Sequence, residues 1–295
     1  MTRRFTDRDD AERYVRETRN WGRWGPDDQR GALNLVTPAR RRAAAALVRT
    51  GAAVSLARPF VPAELTVRRF ERAPAAGGVV DELALRCHGP AATHLDALCH
   101  TWDGDGMWSG HAPDVEIGAT GVRWGGLEHF RDGVLTRGVL LDIPRLRGEP
   151  HVRQDGPVHG DELAAAAREQ GVRVEPGDAL LIHSGREEYE REVGAWSADP
   201  ATRPGLESSC LTYIRETDCA IVLWDMGDVR PNEFGLPFPV HAALFAYGVP
   251  LVDAALLEPL AVACAAAGRW EFLLSVNPLH IVGATGCLVN PIAVF

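Results

Sequence analysis

The segment between Cys87 and His111 concentrates side chains that can do metal or acid–base chemistry, since it contains four of the ten histidines and three aspartates. Within it, His94 and Asp96 are separated by a single residue. An extended chain points both side chains to the same face, whereas a helix would separate them by about 200°. Metal binding by this pair therefore requires an extended segment. The alternative is that the pair caps a helix or joins an ordinary hydrogen-bond network.

Two further polar residues occupy positions where the surrounding apolar pattern predicts a buried apolar side chain. His241 lies at the start of a predicted helix, and Asp253 ends an aliphatic run that predicts a strand. Either could complete a metal site. His241 could instead interact with the helix start, and Asp253 could be the N-cap of the next helix. Imidazole and carboxylate ligands suit Zn²⁺, Mn²⁺ or Fe²⁺ better than Cu⁺, and an open coordination position would admit a water molecule as the nucleophile.

Several other catalytic schemes are excluded by what the chain lacks. It has no lysine, so its 31 basic residues are all arginine, and chemistry that needs a lysine Schiff base or a Walker A lysine is excluded. No Gly-x-Ser-x-Gly motif is present, and the six cysteines show no Cys-x-x-Cys spacing. Cys99 and His100 are adjacent, but neighbours in an extended chain point to opposite faces, so we do not expect a Cys–His dyad.

Charge and hydropathy limit the partners of the protein. The net charge of −9 and the isoelectric point near 5.6 argue against a nucleic-acid-binding surface, which needs clustered positive charge. The apolar runs are much shorter than the roughly 20 residues that cross a membrane, and the charged N-terminus is unlike a signal peptide. We therefore expect a cytoplasmic protein that acts on a small molecule.

Aliphatic runs alternate with helix-like segments downstream of residue 137, which predicts an α/β architecture with a partly parallel sheet. The predicted strands are 138–143, 179–183, 220–224, 250–254 and 272–276. The helices predicted between and after them are 159–170, 203–216, 239–247 and 256–267. Nearer the N-terminus, helices are predicted over 8–20 and over 38–49, the second with Thr37 as N-cap and Pro38 at its first position. We expect residues 1–50 to form a helical extension packed on a single catalytic domain of residues 51–295.

Segment 93–100, Thr-His-Leu-Asp-Ala-Leu-Cys-His, resembles the signature His-x-Gly-Thr-His-x-Asp-x-Pro-x-His of the cyclase family, which includes bacterial kynurenine formamidase and isatin hydrolase. Segments 24–38, 176–182 and 290–295 are similar to the longer branch of that family. The resemblance implies a swivelling β/β/α fold and metal-dependent hydrolysis of amide bonds. It also implies a homodimer or homotetramer.

The resemblance also assigns roles to individual residues. His100 matches the catalytic histidine of the family. A zinc or manganese ion would be held by the residues that match the ligand positions, namely His94, Asp96, His241 and Asp253.

The chain departs from the signature at its first ligand. Pro90 stands where the signature has a histidine, four residues before His94, and proline has no side chain that can bind a metal. His88 lies two residues before Pro90 and could take this place only if the local backbone differs. The signature glycine and proline are also replaced, by Ala92 and Leu98.

Together these features predict a hydrolase that cleaves an amide, lactam or ester bond of a small aromatic molecule, with His100 as acid and base. Candidates for lining the pocket are Trp24, Trp102 and Trp108, which could equally be buried structural residues. Arg186 and Arg230 could recognise a substrate carboxylate or form surface ion pairs. Two alternatives stay open: a cyclase or dehydratase of secondary metabolism on the same scaffold, and a small-molecule binding protein without metal.

Overall fold

The structure, a computed structural model, describes residues 2–295 as a nine-stranded mixed sheet, two separate hairpins and the surrounding helices. The strands are β1 (Ala53–Ser55), β2 (Glu64–Ala73), β3 (Ala76–Ala84), β4 (His94–Asp96), β5 (Ile117–Gly118), β6 (Gly121–Val122), β7 (Val134–Asp142), β8 (Ala179–His183), β9 (Ile221–Trp224), β10 (Leu251–Asp253), β11 (Glu271–Val276), β12 (Gly286–Leu288) and β13 (Ile292–Val294). The α-helices are α1 (Arg8–Glu17), α2 (Pro38–Ala45), α3 (Pro113–Glu116), α4 (Ile143–Arg147), α5 (Gly160–Glu169), α6 (Arg186–Glu192), α7 (Cys210–Thr217), α8 (Ala242–Tyr247) and α9 (Glu258–Ala267). Short 3₁₀ helices cover Gly31–Leu35, Trp108–Gly110 and Leu127–Phe130.

The large sheet has the strand order β1-β13-β11-β7-β8-β9-β10-β4-β12. Strands β7 to β10 run parallel to one another, and α4 to α8 lie in the connections between them. The strands on either side of this group pair antiparallel. Every residue of β8 and β9 is buried, as expected for parallel strands that are covered on both faces. The predicted α/β architecture with a partly parallel sheet is confirmed.

The predicted strands correspond to β7 to β11, and the predicted helices to α1, α2, α5, α7, α8 and α9. One helix is wrong at its beginning, because the prediction over 203–216 includes residues that precede α7 at Cys210. The backbone of Arg203 instead forms an antiparallel bridge with Arg230, which a helix would prevent. The segment before α7 is therefore free to line a cavity.

Strand β4 positions two residues of the predicted site. It lies between β10 and β12 and pairs antiparallel with both. The register places His94 opposite Asp253 and Asp96 opposite Leu251. The extended conformation predicted for this segment is confirmed. Strand pairing therefore brings together two candidate ligands that are far apart in the sequence.

The β2–β3 hairpin was not predicted from the sequence, and it is separate from the large sheet. Every residue of β2 is exposed, and so is every residue of β3 except Gly78, which is half-buried. Charged and apolar residues occur on both faces of both strands, and neither face is buried by the rest of the described chain. On one face the aliphatic side chains are 54 to 64% exposed: Leu65, Val67, Val79 and Leu83.

The N-terminal elements pack against the sheet and α8. Thr37 accepts a hydrogen bond from the backbone N–H of Arg40 and so caps α2, as predicted, and α2 contacts β7 and β11. The side-chain amide of Asn20 donates to the carbonyl of Tyr247 at the end of α8. The division of the chain at residue 50 stays a prediction. Within residues 2–295, no helix has the length and apolar character needed to cross a membrane.

Candidate metal centre

The side chains of His94 and Asp96 meet on one face of β4. The His94 Nε2 and Asp96 Oδ1 atoms are 3.6 Å apart, and the two residues are 2% and 0% exposed. His94 Nδ1 lies 2.9 Å from the carbonyl oxygen of Ala92. Since a carbonyl only accepts, Nδ1 must carry the proton, which leaves the lone pair of Nε2 directed into the cluster.

His241 and Asp253 approach the same cluster from α8 and β10. His241 Nε2 is 3.3 Å from Asp253 Oδ2, and His241 Nδ1 is 2.8 Å from Asp228 Oδ2. The Asp228 carboxylate also accepts from the backbone N–H groups of Val240 and His241, so it holds the start of α8 as well as the ring. Asp253 also accepts from the indole N–H of Trp224.

The capping alternatives for these two residues do not describe the structure. His241 occupies the position before α8, but its side chain forms no capping hydrogen bond. Asp253 is the last residue of β10, while the N-cap position of α9 is taken by Leu257. Both side chains instead face the histidine and aspartate cluster.

His88 and His100 stack on each other with ring centroids 4.0 Å apart. His88 Nδ1 donates to Asp96 Oδ1 at 2.7 Å, and His88 Nε2 accepts from the hydroxyl of Thr285 at 3.0 Å, so both ring nitrogens have partners. His100 Nε2 lies 3.9 Å from the same Asp96 oxygen. Pro90, at the first ligand position of the signature, lines the cavity beside the cluster.

Burial and neighbouring charges shift the pKa values of His100 and His241 in opposite directions. Burial lowers the pKa of His100, and the attraction of Asp96 offsets this only in part. The imidazole of His100 is therefore neutral near pH 7 and able to accept a proton. Burial also opposes the charged form of His241, but Asp228 and Asp253 outweigh it and raise the pKa of His241 well above its ordinary value.

The donor set fits a divalent cation. Donor atoms within 4.8 Å of one another occur in two overlapping sets that share Asp96: His88, His94 and Asp96, and Asp96, His241 and Asp253. Asp96 Oδ2 is buried and has no hydrogen-bond partner within residues 2–295. Among the described residues, the side chains that form ion pairs with Asp96, Asp228 and Asp253 are all histidines. A cation would compensate the charge of these carboxylates and bind the unpartnered oxygen of Asp96.

The cluster opens on a cavity of about 180 Å³. Arg230, for which the sequence left substrate recognition and a surface ion pair open, lines this cavity. Arg186 is not among the lining residues: its Nε donates to Glu190, its Nη2 donates to the carbonyl of Pro90, and its guanidinium packs on Trp196.

The three predicted tryptophans are placed differently. Trp108 is 1% exposed and donates its indole N–H to the carbonyl of Asp28, and Trp24 packs against it with ring centroids 6.1 Å apart. These two lie in core contacts and not along the cavity. Trp102 is 43% exposed and lines a neighbouring cavity of about 290 Å³, which shares Phe238 with the cavity at the cluster. Of the three, Trp102 lines a cavity, and that cavity is a different one from the cavity at the cluster.

Sequence reasoning missed several residues that line the cavity or bond to the cluster, among them the polar or aromatic Trp196, Arg203, Asp228 and Thr285. A signal existed for Asp228, because it follows the buried strand β9, and polar groups at the carboxyl ends of parallel strands commonly line ligand sites. For the other three, no local pattern identifies a functional position.

Comparison with known proteins agrees with the fold and with the motif. The family model described as "Putative cyclase" matches residues 24–230. The crystal structure of a novel cyclase is 30% identical, with a TM-score of 0.80, and the match covers 94% of this chain and 99% of that one. No curated protein matches the chain in sequence.

Two isatin hydrolases share the fold at low identity. Isatin hydrolase A from Labrenzia aggregata is 15% identical, with a TM-score of 0.58, covering 85% of this chain and 94% of that one. Isatin hydrolase A from Ralstonia solanacearum is also 15% identical, with a TM-score of 0.58, covering 87% and 97%. The expected fold is confirmed as the mixed α/β fold of these proteins. The extent of the family match and the 30% identity to a solved cyclase show that this chain belongs to the cyclase family.

Proposed function

We propose that this protein is a metal-dependent hydrolase that cleaves an amide, lactam or ester bond of a small aromatic molecule. The observation that carries the proposal is the buried, unpartnered Asp96 Oδ2 in a cluster of histidines and carboxylates, beside the imidazole of His100. The isatin hydrolases with the same fold support this class of reaction and an aromatic substrate.

The proposed ligands of a zinc or manganese ion are His94, Asp96, His241 and Asp253. The Ala92 carbonyl orients the ring of His94, and the carboxylate of Asp228 orients that of His241. Each contact holds a proton on Nδ1, as in the carboxylate–histidine arrangements of many metal sites. Nε2 of His94 is then available, and a bound ion would displace the proton that His241 Nε2 shares with Asp253. When bound here, a divalent ion polarises the scissile carbonyl and lowers the pKa of a water molecule.

His100 is the proposed acid and base. Its pKa is lowered by burial, so the ring is neutral and can take a proton from the attacking water. The same ring then returns the proton to the leaving nitrogen or oxygen. Stacking on His88 restricts the plane of the ring, so Nε2 is held near Asp96 and the cavity.

His88 is proposed to position Asp96, not to fill the place of the missing first ligand. Its Nδ1–H holds Asp96, and its Nε2 lone pair is occupied by the hydroxyl of Thr285. Ligation by His88 would require the loss of one of these hydrogen bonds.

The test of the proposed function is a substrate screen with the full chain loaded with Zn²⁺ or Mn²⁺. N-formyl aromatic amines, lactams and lactones are offered, and hydrolysis is followed by absorbance and product analysis. We expect turnover that stops on brief chelation and returns when the ion is added back. Full activity without bound metal would contradict the proposal. Absence of both metal and turnover would favour the binding-protein alternative, and a cyclised or dehydrated product would favour the other enzymatic one.

We also propose that a second copy of the chain covers the β2–β3 hairpin, giving a homodimer or a tetramer built from such dimers. The accessible surface of 13434 Å² exceeds the roughly 12,200 Å² expected for a compact monomer of this mass. The excess of about 1,200 Å² suffices for the roughly 800 Å² that each partner buries in a stable interface. A two-stranded hairpin exposed on both faces is marginal in water without such cover.

A further inference from the structure

Two arginines, Arg203 and Arg230, line the cavity beside the metal cluster. Within residues 2–295, neither guanidinium forms an ion pair with an acidic side chain. Arg203 Nε donates to the carbonyl of Asp228 at 3.2 Å, and Arg230 Nη1 donates to the carbonyl of Pro200 at 3.3 Å. The terminal nitrogens Nη1 and Nη2 of Arg203 make no hydrogen bond to the described part of the chain and remain available to a ligand.

The backbone places the two side chains on the same side. Arg203 and Arg230 form an antiparallel bridge in which each N–H donates to the other's carbonyl, at 2.9 and 3.0 Å. Residues directly opposite each other in an antiparallel pair point their side chains to one face. Both guanidinium groups therefore approach the cavity together.

The contacts of Arg203 restrict its orientation. Its guanidinium packs on the ring of Trp196 at 4.8 Å from the centroid. Its Nε is held by the backbone of Asp228, the residue whose carboxylate orients His241. Asp228 thus holds both the His241 ring and the Arg203 guanidinium. It therefore sets the distance between the candidate metal cluster and the positive charge of Arg203.

The surroundings of Arg203 disfavour its positive charge, so an anion bound beside it would be stabilised. Burial lowers the pKa of Arg203, and the positive charge of Arg230 lowers it further, while Asp228 and Asp253 offset only part of this. A guanidinium stays protonated in proteins, so Arg203 keeps its charge. The free-energy cost of that charge therefore remains, as repulsion from Arg230 in a partly desolvated cavity wall. An anionic ligand between the two groups would remove that cost.

We propose that Arg203, with Arg230, binds a carboxylate of the substrate, so that the substrate class is an aromatic amide or ester bearing a carboxylate close to the scissile bond. A planar carboxylate matches the fork of a guanidinium, and the cavity of about 180 Å³ accepts a molecule with one aromatic ring. The inference rests on the proposed hydrolase function. Binding of the carboxylate would orient the scissile carbonyl toward the cluster and His100.

The experiment compares formanilide with its 2-, 3- and 4-carboxy derivatives as substrates of the metal-loaded enzyme. We expect the best carboxy isomer to have a KM about 10- to 100-fold below that of formanilide. In Arg203→Gln this ratio should collapse toward one, and Arg203→Lys should recover part of it, because lysine keeps the charge but not the fork. Arg168→Gln, an exposed position in α5, removes the same charge elsewhere and should leave the ratio unchanged.

A ratio that is unchanged in Arg203→Gln would overturn the inference, while metal-dependent hydrolysis of formanilide would leave the proposed function standing. If none of the four compounds is hydrolysed, calorimetric titration of the metal-loaded protein with benzoate decides the inference separately. A loss of affinity of about tenfold or more in Arg203→Gln supports the carboxylate site. Equal benzoate affinity in Arg203→Gln and the unaltered protein overturns it.

Discussion

The candidate metal cluster and the β2–β3 hairpin are neighbours in the chain, since β3 ends at Ala84 and His88 follows shortly after, but their surroundings are opposite. Strand β4 of the cluster is paired on both sides, and His94 and Asp96 are almost completely buried. The hairpin strands pair only with each other, and their side chains are exposed. The cluster is thus held by contacts within this chain, whereas the hairpin strands are paired only with each other.

The largest loss of metal affinity and turnover is expected when the proposed ligands in β4 are replaced. His94→Ala and Asp96→Ala should each lower metal affinity by at least about 100-fold and abolish turnover, because each change removes one of the four proposed ligands. Metal content by mass spectrometry and the rate of hydrolysis measure the two effects. Stoichiometric metal retained in either variant would move the site elsewhere.

His100→Ala should lower turnover by about 10²- to 10⁴-fold while metal content stays near that of the unaltered protein, because the role proposed for His100 is to move protons and not to hold the ion. The measurement is kcat together with metal content on the same sample. Loss of metal in parallel with activity would make His100 a ligand and our assignment wrong.

His88→Ala should weaken metal binding by less than about tenfold, because His88 supports Asp96 through a hydrogen bond. Competition with a chelator gives the affinity, and His94→Ala is the matched comparison. If the two variants are equally impaired, His88 is a ligand that replaces the histidine missing at Pro90.

The smallest effect on catalysis is expected from the hairpin. Leu65→Thr combined with Leu83→Thr keeps good strand formers but removes apolar surface from one face of the hairpin. The proposed dimer should therefore dissociate at a higher protein concentration than the unaltered dimer, while kcat changes by less than about twofold. Light scattering across a concentration series measures the mass. The control is Val262→Thr, an equally exposed valine on α9. A monomer at all concentrations in the unaltered protein would refute the proposed role of the hairpin.

Much of the site could be predicted from local pattern. The spacing of His94 and Asp96 determined that they share a face in an extended segment, because side chains alternate with a period of two. The apolar runs at β8 and β9 determined buried parallel strands, since only strands covered on both faces are apolar throughout. The absence of lysine determined which covalent mechanisms are excluded.

Tertiary structure alone decided which distant residues join this segment. Asp253 lies opposite His94 through the register of β4 and β10, and Thr285 reaches His88 across 197 positions of the chain. For Trp108 the sequence left pocket lining and structural burial open, and the structure shows it buried, with its indole N–H donated to the Asp28 carbonyl. Such contacts depend on packing between elements, and periodicity within one element carries no information about them. The sequence by itself therefore determined the chemistry that β4 offers, while the fold decided its partners, the arginines of the cavity wall and the exposure of the hairpin.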